Sequence, residues 1–192
     1  KYIDEVTLET ITEPENNLIK DYTNSRYDTL NSSLRSHNNL IIEKQKFPNM
    51  NIGELAEDVV KDRNLLNQAL DKLPSYKNDV WRGVHFDNEK DFGDFFNSLY
   101  EGQTISRPTF TSTSTSRQLA ESFATADDFG ALVKIESKNG KWLNGLSAVE
   151  DEMEVLFKSD TLFEIKKIET ISIYDIREDI YRDMVQITMK EI

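Results

Sequence analysis

Glu150-Asp151-Glu152-Met153-Glu154-Val155-Leu156-Phe157 sets four carboxylates within five positions and runs directly into an apolar segment. If Met153 to Phe157 is a strand, its period of two sends Glu152 and Glu154 to one face. Met153, Val155 and Phe157 then point the other way, into a core. Such crowding is costly, because like charges repel and burial adds to the penalty. Two carboxylates fixed side by side at a strand entry suit acid/base work or the stabilisation of a cation. A solvated acidic turn fits any one of them equally, so the octet alone leaves both readings open.

Working outward, the octet sits in a strand-rich half of the chain. Val80-Trp81-Arg82-Gly83-Val84, Ala131 to Ile135, Leu162 to Tyr174 and Met184 to Met189 read as strands, and Thr104 to Ser114 as β-branched sequence broken by Pro108. Two helices interrupt this half. Asn88 to Tyr100 buries Phe92, Phe95, Phe96 and Leu99, a set at helical spacing that reads as core, and Gln118 to Ala126 sets Leu119 and Phe123 one turn apart. The N-terminal third is helical. Thr12-Glu13-Pro14-Glu15 has capping-box form ahead of Leu18, Ile19 and Tyr22. Ser25 can cap a second helix carrying Tyr27, Leu30 and Leu34, and residues 36–50 read as a loop. Asn51-Ile52-Gly53-Glu54 opens a third helix, stopped by Pro74, with a shift in apolar spacing near residues 61–63 that admits a break. Helices gathered at one end and strands at the other, without βαβ alternation, give an α+β fold. A single domain over 1–192 is expected, with a helical part at 12–74 and a strand-rich core at 79–192.

The totals narrow the function. A net charge of -12 argues against a general nucleic-acid or anionic-membrane binder, while leaving room for a local basic pocket. With no cysteine, disulfides and thiolate metal sites are excluded, and His37 and His85 lie far apart in sequence, neither at metal-ligand spacing from the other. His85 reads as a solvated residue in a strand-to-helix turn. No apolar run approaches the ~20 residues of a membrane span. A chain beginning at Lys1 is expected to be a mature form or an excised domain.

Two further stretches carry chemistry. Arg82 follows Trp81 in a strand and precedes Gly83, whose missing side chain lets another group approach the backbone. Alone it reads as a structural salt bridge, with a guanidinium fork for phosphate as the other reading. In Phe110-Thr111-Ser112-Thr113-Ser114, Ser112 and Ser114 share a face with Phe110 in phase. Small hydroxyls there could hold a buried carboxylate, although the same stretch reads as an edge strand with wet hydroxyls.

Taken in order, the aromatic-Arg-Gly strand, the Phe-x-Ser-Thr-Ser followed by a short helix, and the Glu-x-Glu entering a strand resemble the mono-ADP-ribosyltransferases. The branch most resembled is the arginine-directed one of bacterial toxins, vertebrate ecto-enzymes and phage transferases. The resemblance takes in Leu18 to Arg35, notably Tyr22-Thr23, Tyr27 and Leu34-Arg35, as well as Gln68 to Val84, Arg117 to Ala124 and Ala131 to Ile168. It implies two packed, mostly antiparallel sheets around an NAD cleft. It also implies residue roles. Arg82 would grip the NAD phosphates, and Gly83 would offer its backbone to the nicotinamide amide. Ser112 would orient the catalytic glutamate, with Thr113 and Ser114 shaping the nicotinamide pocket, and Phe129 could cover the nicotinamide ring or lie in the core. Glu154 would hold the ribose hydroxyl and stabilise positive charge, and Glu152 would engage the acceptor. NAD is then a substrate, and no metal is implied.

The implied reaction is transfer of ADP-ribose to an arginine of a target protein, actin or another host protein, with NAD hydrolysis as side activity. Glutamate at 152 in place of glutamine favours arginine as acceptor, by family analogy. The toxin branch usually carries an aromatic residue where this chain has Val149, so the acceptor-reading loop differs and a phage-type acceptor gains weight. Arg107 and Arg117 are the nearest candidates for the extra phosphate-binding arginine of some relatives, and neither matches a motif. A toxin or effector of this kind is secreted or injected and acts in the target-cell cytoplasm. A catalytically silent domain that binds a protein partner is the competing class. A glycosidase is disfavoured because neighbours on one strand do not flank opposite sides of a sugar.

Overall fold

The N-terminal capping box is where local sequence most directly dictates structure. Thr12 donates from its backbone N–H and its hydroxyl to the Glu15 carboxylate, at 2.7 and 2.9 Å. That fixes the start of helix α1 (Glu13–Asp21), with Pro14 inside its first turn, where a missing N–H costs nothing. The same carboxylate, 1% exposed, takes a 2.7 Å salt bridge from Lys72. A π-helical turn, Tyr22–Arg26, then leads into α2 (Tyr27–Arg35). The computed structural model describes residues 9–35, 52–143, 145–148 and 153–192. The expected loop at 36–50, with His37, lies outside the described residues.

Helix α3 (Ile52–Asp71) is continuous, so the shifted apolar spacing at 61–63 does not break it. The backbone ladder needs no apolar residue at any one position. Next come β1 (Ser75–Tyr76), β2 (Asp79–Phe86), α4 (Glu89–Asn97), β3 (Thr104–Arg107), β4 (Thr111–Ser114) and α5 (Arg117–Ala124). The chain ends with β5 (Phe129–Glu136), β6 (Gly140–Trp142), β7 (Glu154–Phe157), β8 (Thr161–Asp175) and β9 (Ile180–Glu191). Asn88 caps α4 by accepting from the Asp91 N–H, and Ser116 caps α5 by accepting from the Leu119 N–H.

These elements form two compact units. The first comprises Lys1–Ser75, Arg107–Thr111 and Lys141–Thr161. Its core joins Leu18, Ile19 and Tyr22 to Leu30, to Leu66, Leu70 and Leu73, and to Phe110, Leu143, Leu146 and Leu156. Each fully buried leucine of this kind is worth about 1.5–3 kcal/mol of burial. Here β6 and β7 pair antiparallel, Lys141 opposite Leu156 and Trp142 opposite Val155.

The second unit comprises Tyr76–Ser106, Ser112–Gly140 and Leu162–Ile192. Its strands lie in the order β4-β2-β5-β9-β8-β3. All eight residues of β2 pair antiparallel with β5, from Asp79 opposite Glu136 to Phe86 opposite Phe129. β5 runs parallel to β9, and β8 and β9 form a long antiparallel hairpin with an irregularity between Ile165 and Lys167. The α+β class expected from sequence and the mostly antiparallel strands implied by the resemblance are borne out. β1 and β6 were not foreseen, and His85 lies within β2 and not in a turn after it.

Candidate functional site

The second unit holds the arginine, the hydroxyl run and Phe129. Arg82 is in β2, next to β4, with Trp81 in register opposite Ser114. From there Arg82 Nη1 donates to the Ser112 carbonyl at 2.8 Å. Strand pairing and side chain therefore bring Arg82 and the Ser-Thr-Ser stretch together.

Thr113 and Ser114 are buried and Ser112 is half-buried, so these are not the wet hydroxyls of an edge strand. The Ser114 hydroxyl accepts the Ser116 N–H at 3.0 Å, closing the turn into α5.

Gly83 owes its identity to that helix. A Cβ at position 83 would sit 2.1 Å from the Ala120 carbonyl oxygen and 2.5 Å from the Ala124 nitrogen. The group that approaches the backbone closely, as the sequence suggested, is thus α5 itself. The same holds for Gly130, where a Cβ would lie 1.7 Å from the Ala124 carbonyl oxygen.

Phe129 opens β5, and its ring centroid is 6.0 Å from that of Phe92. Phe92 in turn packs against Phe86 and Phe96, but Phe92, Phe95 and Phe96 are only half-buried, so the core role expected for that helical set is corrected to a partly covered aromatic cluster. Arg117 stacks over the Trp81 ring at 5.1 Å and pairs with Glu121 at 2.7 Å.

The first unit holds Glu154. It is the first residue of β7 and is 5% exposed. Burying a carboxylate demands partners. The Ser147 hydroxyl donates to Glu154 Oε2 at 3.3 Å, and the Leu143 N–H donates to the Glu154 carbonyl at 3.0 Å. Sequence reading missed Ser147. It lies seven positions upstream in a turn, where no periodicity links it to the strand.

The expectation that Met153 points into the core is corrected. Met153 is 44% exposed and has φ of 45°, so the chain turns there and the strand begins one residue later. All four strand residues, Glu154 to Phe157, are buried, and simple alternation does not describe this entry. The argument that put Glu152 and Glu154 on one face therefore loses its basis. Glu152 itself, with Val149, Glu150 and Asp151, lies outside the described residues.

Among known proteins, the model of the ADP-ribosyltransferase exoenzyme family matches residues 2–190. The chain is 30% identical over 170 residues to Vis of Vibrio splendidus, spanning 84% of this chain and 62% of Vis. It is 34% identical over 98 residues to Mav of Mycobacterium avium, spanning 51% of this chain and 11% of Mav. Both relatives bear the name NAD(+)–arginine ADP-ribosyltransferase. The chain thus spans less than two thirds of the curated relatives it matches. The crystal structure of Vis in complex with agmatine superposes with a TM-score of 0.70 at 26% identity, covering 95% of this chain and 76% of that one.

Proposed function

The chain belongs to the ADP-ribosyltransferase exoenzyme family, and from that premise we propose that it moves ADP-ribose from NAD to an arginine of a target protein, releasing nicotinamide. The observation that carries this reading is Glu154, a carboxylate 5% exposed and held at a strand entry. A fixed buried anion suits the stabilisation of a cation.

As the bond between the ribose C1′ and the nicotinamide nitrogen breaks, its electron pair leaves with nicotinamide and positive charge spreads over the ribose. Glu154 stabilises that charge and holds the ribose 2′-hydroxyl. Ser112 assists catalysis, Arg82 grips the NAD phosphates, Gly83 offers its backbone to the nicotinamide amide, and Thr113 and Ser114 shape the nicotinamide pocket. An arginine nitrogen of the acceptor then attacks C1′, and Glu152 takes the proton that the guanidinium gives up. Nicotinamide is a good leaving group, so no general acid is required.

Arginine as acceptor is supported by the agmatine complex of Vis and by the name that Vis and Mav carry. The acceptor is an arginine of a host protein, reached by a secreted or injected toxin-type effector, and residues 1–192 act as one catalytic domain.

The test is nicotinamide release from NAD, with agmatine as acceptor, by wild type, Glu154→Ala and Glu152→Ala. Glu154→Ala should lose both hydrolysis and transfer by at least ~100-fold, because both pass through the same cation. Glu152→Ala should lose transfer and keep most hydrolysis. No release by the wild type would move the chain to the class of protein-binding modules.

A further inference from the structure

Within the first unit, one turn bonds Glu154 through both its backbone and its side chain. Leu146 and Ser147 both donate their N–H groups to the Leu143 carbonyl, at 2.8 and 3.1 Å. Gly145 occupies the left-handed region with φ of 86°, which closes the turn. From this turn Leu143 bonds the Glu154 backbone, and Ser147 reaches the Glu154 carboxylate. Leu143 and Leu146 anchor the turn in the core, at 0% and 5% exposure.

The far end of the turn is tied to the N-terminal helices. Thr23, 9% exposed, lies in the π-helical turn Tyr22–Arg26. Its hydroxyl donates to the Lys20 carbonyl at 3.2 Å and accepts the Ala148 N–H at 2.9 Å. A hydroxyl has one hydrogen to give and lone pairs to receive, so Thr23 does both at once. Donation to Lys20 fixes the rotor and aims the lone pairs at Ala148. Single π-helical turns inside helices are frequently found at functional sites.

We propose that Thr23 is a positioning residue for Glu154. It pins Ala148, and thereby the adjoining Ser147, so that the turn bonded at Leu143, Leu146 and Ser147 presents one fixed geometry to the catalytic carboxylate. The N-terminal helices on this account do more than cover the core. The inference rests on the reading of Glu154 as the residue that stabilises the cation. A displacement of about 1 Å in such a group can lower a rate by up to ~100-fold. Loss of one hydrogen bond to a supporting turn should therefore appear in kcat and not in NAD affinity.

The experiment compares wild type with Thr23→Val, Thr23→Ser and Ser147→Ala. Thr23→Val keeps the branched shape but cannot accept the Ala148 N–H. Its Ala148 amide should exchange hydrogen at least ~10-fold faster, as expected for a lost hydrogen bond. Its kcat for nicotinamide release should fall about 10-fold with the KM for NAD within about 2-fold. Thr23→Ser, which keeps the hydroxyl, should restore both. Ser147→Ala, at a partly exposed position that does not threaten folding, should also lower kcat with KM unchanged.

Accelerated Ala148 exchange with full kcat in Thr23→Val would reduce Thr23 to a packing residue and overturn the proposal. Unchanged exchange, or full kcat in Ser147→Ala, would overturn it as well. Glu154→Ala, run alongside, separates this failure from that of the parent reading. If Glu154→Ala releases nicotinamide like the wild type, the role of Glu154 falls, whatever Thr23 does to the turn.

Discussion

Arg82 gives its Nη1 hydrogen bond to the main-chain carbonyl of Ser112, 2.8 Å away. This joins, within one unit, two motifs that lie thirty positions apart in sequence. A guanidinium carries five donors in one plane, so it can brace a neighbouring strand and also present a fork to a phosphate. Alone in the sequence, Arg82 read as a salt bridge at a strand end. The bond to a carbonyl on the Ser-Thr-Ser strand gives it a positioning task.

Arg82→Lys tests that double task. Lysine keeps the charge, but its compact ammonium cannot reproduce the planar fork. NAD binding measured by calorimetry should weaken at least ~10-fold, which corresponds to one lost charge-assisted bond. A variant that binds NAD like the wild type would remove Arg82 from the phosphate site.

Gly83→Ala acts through α5. The added methyl would meet backbone atoms of Ala120 and Ala124, which cannot swing aside as a flexible side-chain end could. The helix must move, at a cost of about 2 kcal/mol or more in thermal or denaturant unfolding. Gly130→Ala meets the same helix at the Ala124 carbonyl and should behave alike. Unchanged stability in both would mean that α5 packs less tightly than this geometry requires.

Lys72→Met concerns pH. Burial raises the Glu15 carboxyl, but hydrogen bonds from Lys72 and Thr12 and the Lys72 charge outweigh it, leaving the group below the ordinary glutamate value of 4.5. A lowered folded-state pKa contributes stability that is complete above the unfolded value and is lost as pH falls through the folded one. At pH 7 the substitution leaves a buried carboxylate without its cation and should cost about 2 kcal/mol. The gap between variant and wild type should narrow as the solution is acidified below about pH 4.5. Urea midpoints across that range measure it, and a gap independent of pH would show that the pair is idle.

Much of this architecture was legible because it rests on local signals. The capping box at Thr12 and Glu15, the start of α4 near Asn88 and the break at Pro108 each leave a mark in a few residues. β1 and β6, two and three residues long, left none, since strands that short exist only by virtue of their partners. The candidate site was legible to the extent that its parts are motifs. Ser147 and the bond from Ala148 to Thr23, spanning 125 positions, belong to no motif and depend on tertiary packing. Met153 misled for a related reason: an apolar residue in phase with a strand reads as core, and nothing local announces a left-handed turn at methionine.

That turn supplies the last prediction. A non-glycine residue in the left-handed region carries a strain of about 1–2 kcal/mol, which glycine would relieve. Glycine would also free the backbone on which the chain pivots. Glu154 is braced from its own side by Leu143 and Ser147, whereas Glu152 is the residue that precedes Met153. Met153→Gly should therefore leave NAD hydrolysis within about 2-fold of wild type and lower transfer to agmatine by about 10-fold. The ratio of ADP-ribosylated agmatine to free ADP-ribose reads this directly. An equal fall in both activities would mean that the turn supports Glu154 itself, and wild-type rates of both would mean that the acceptor side does not depend on it.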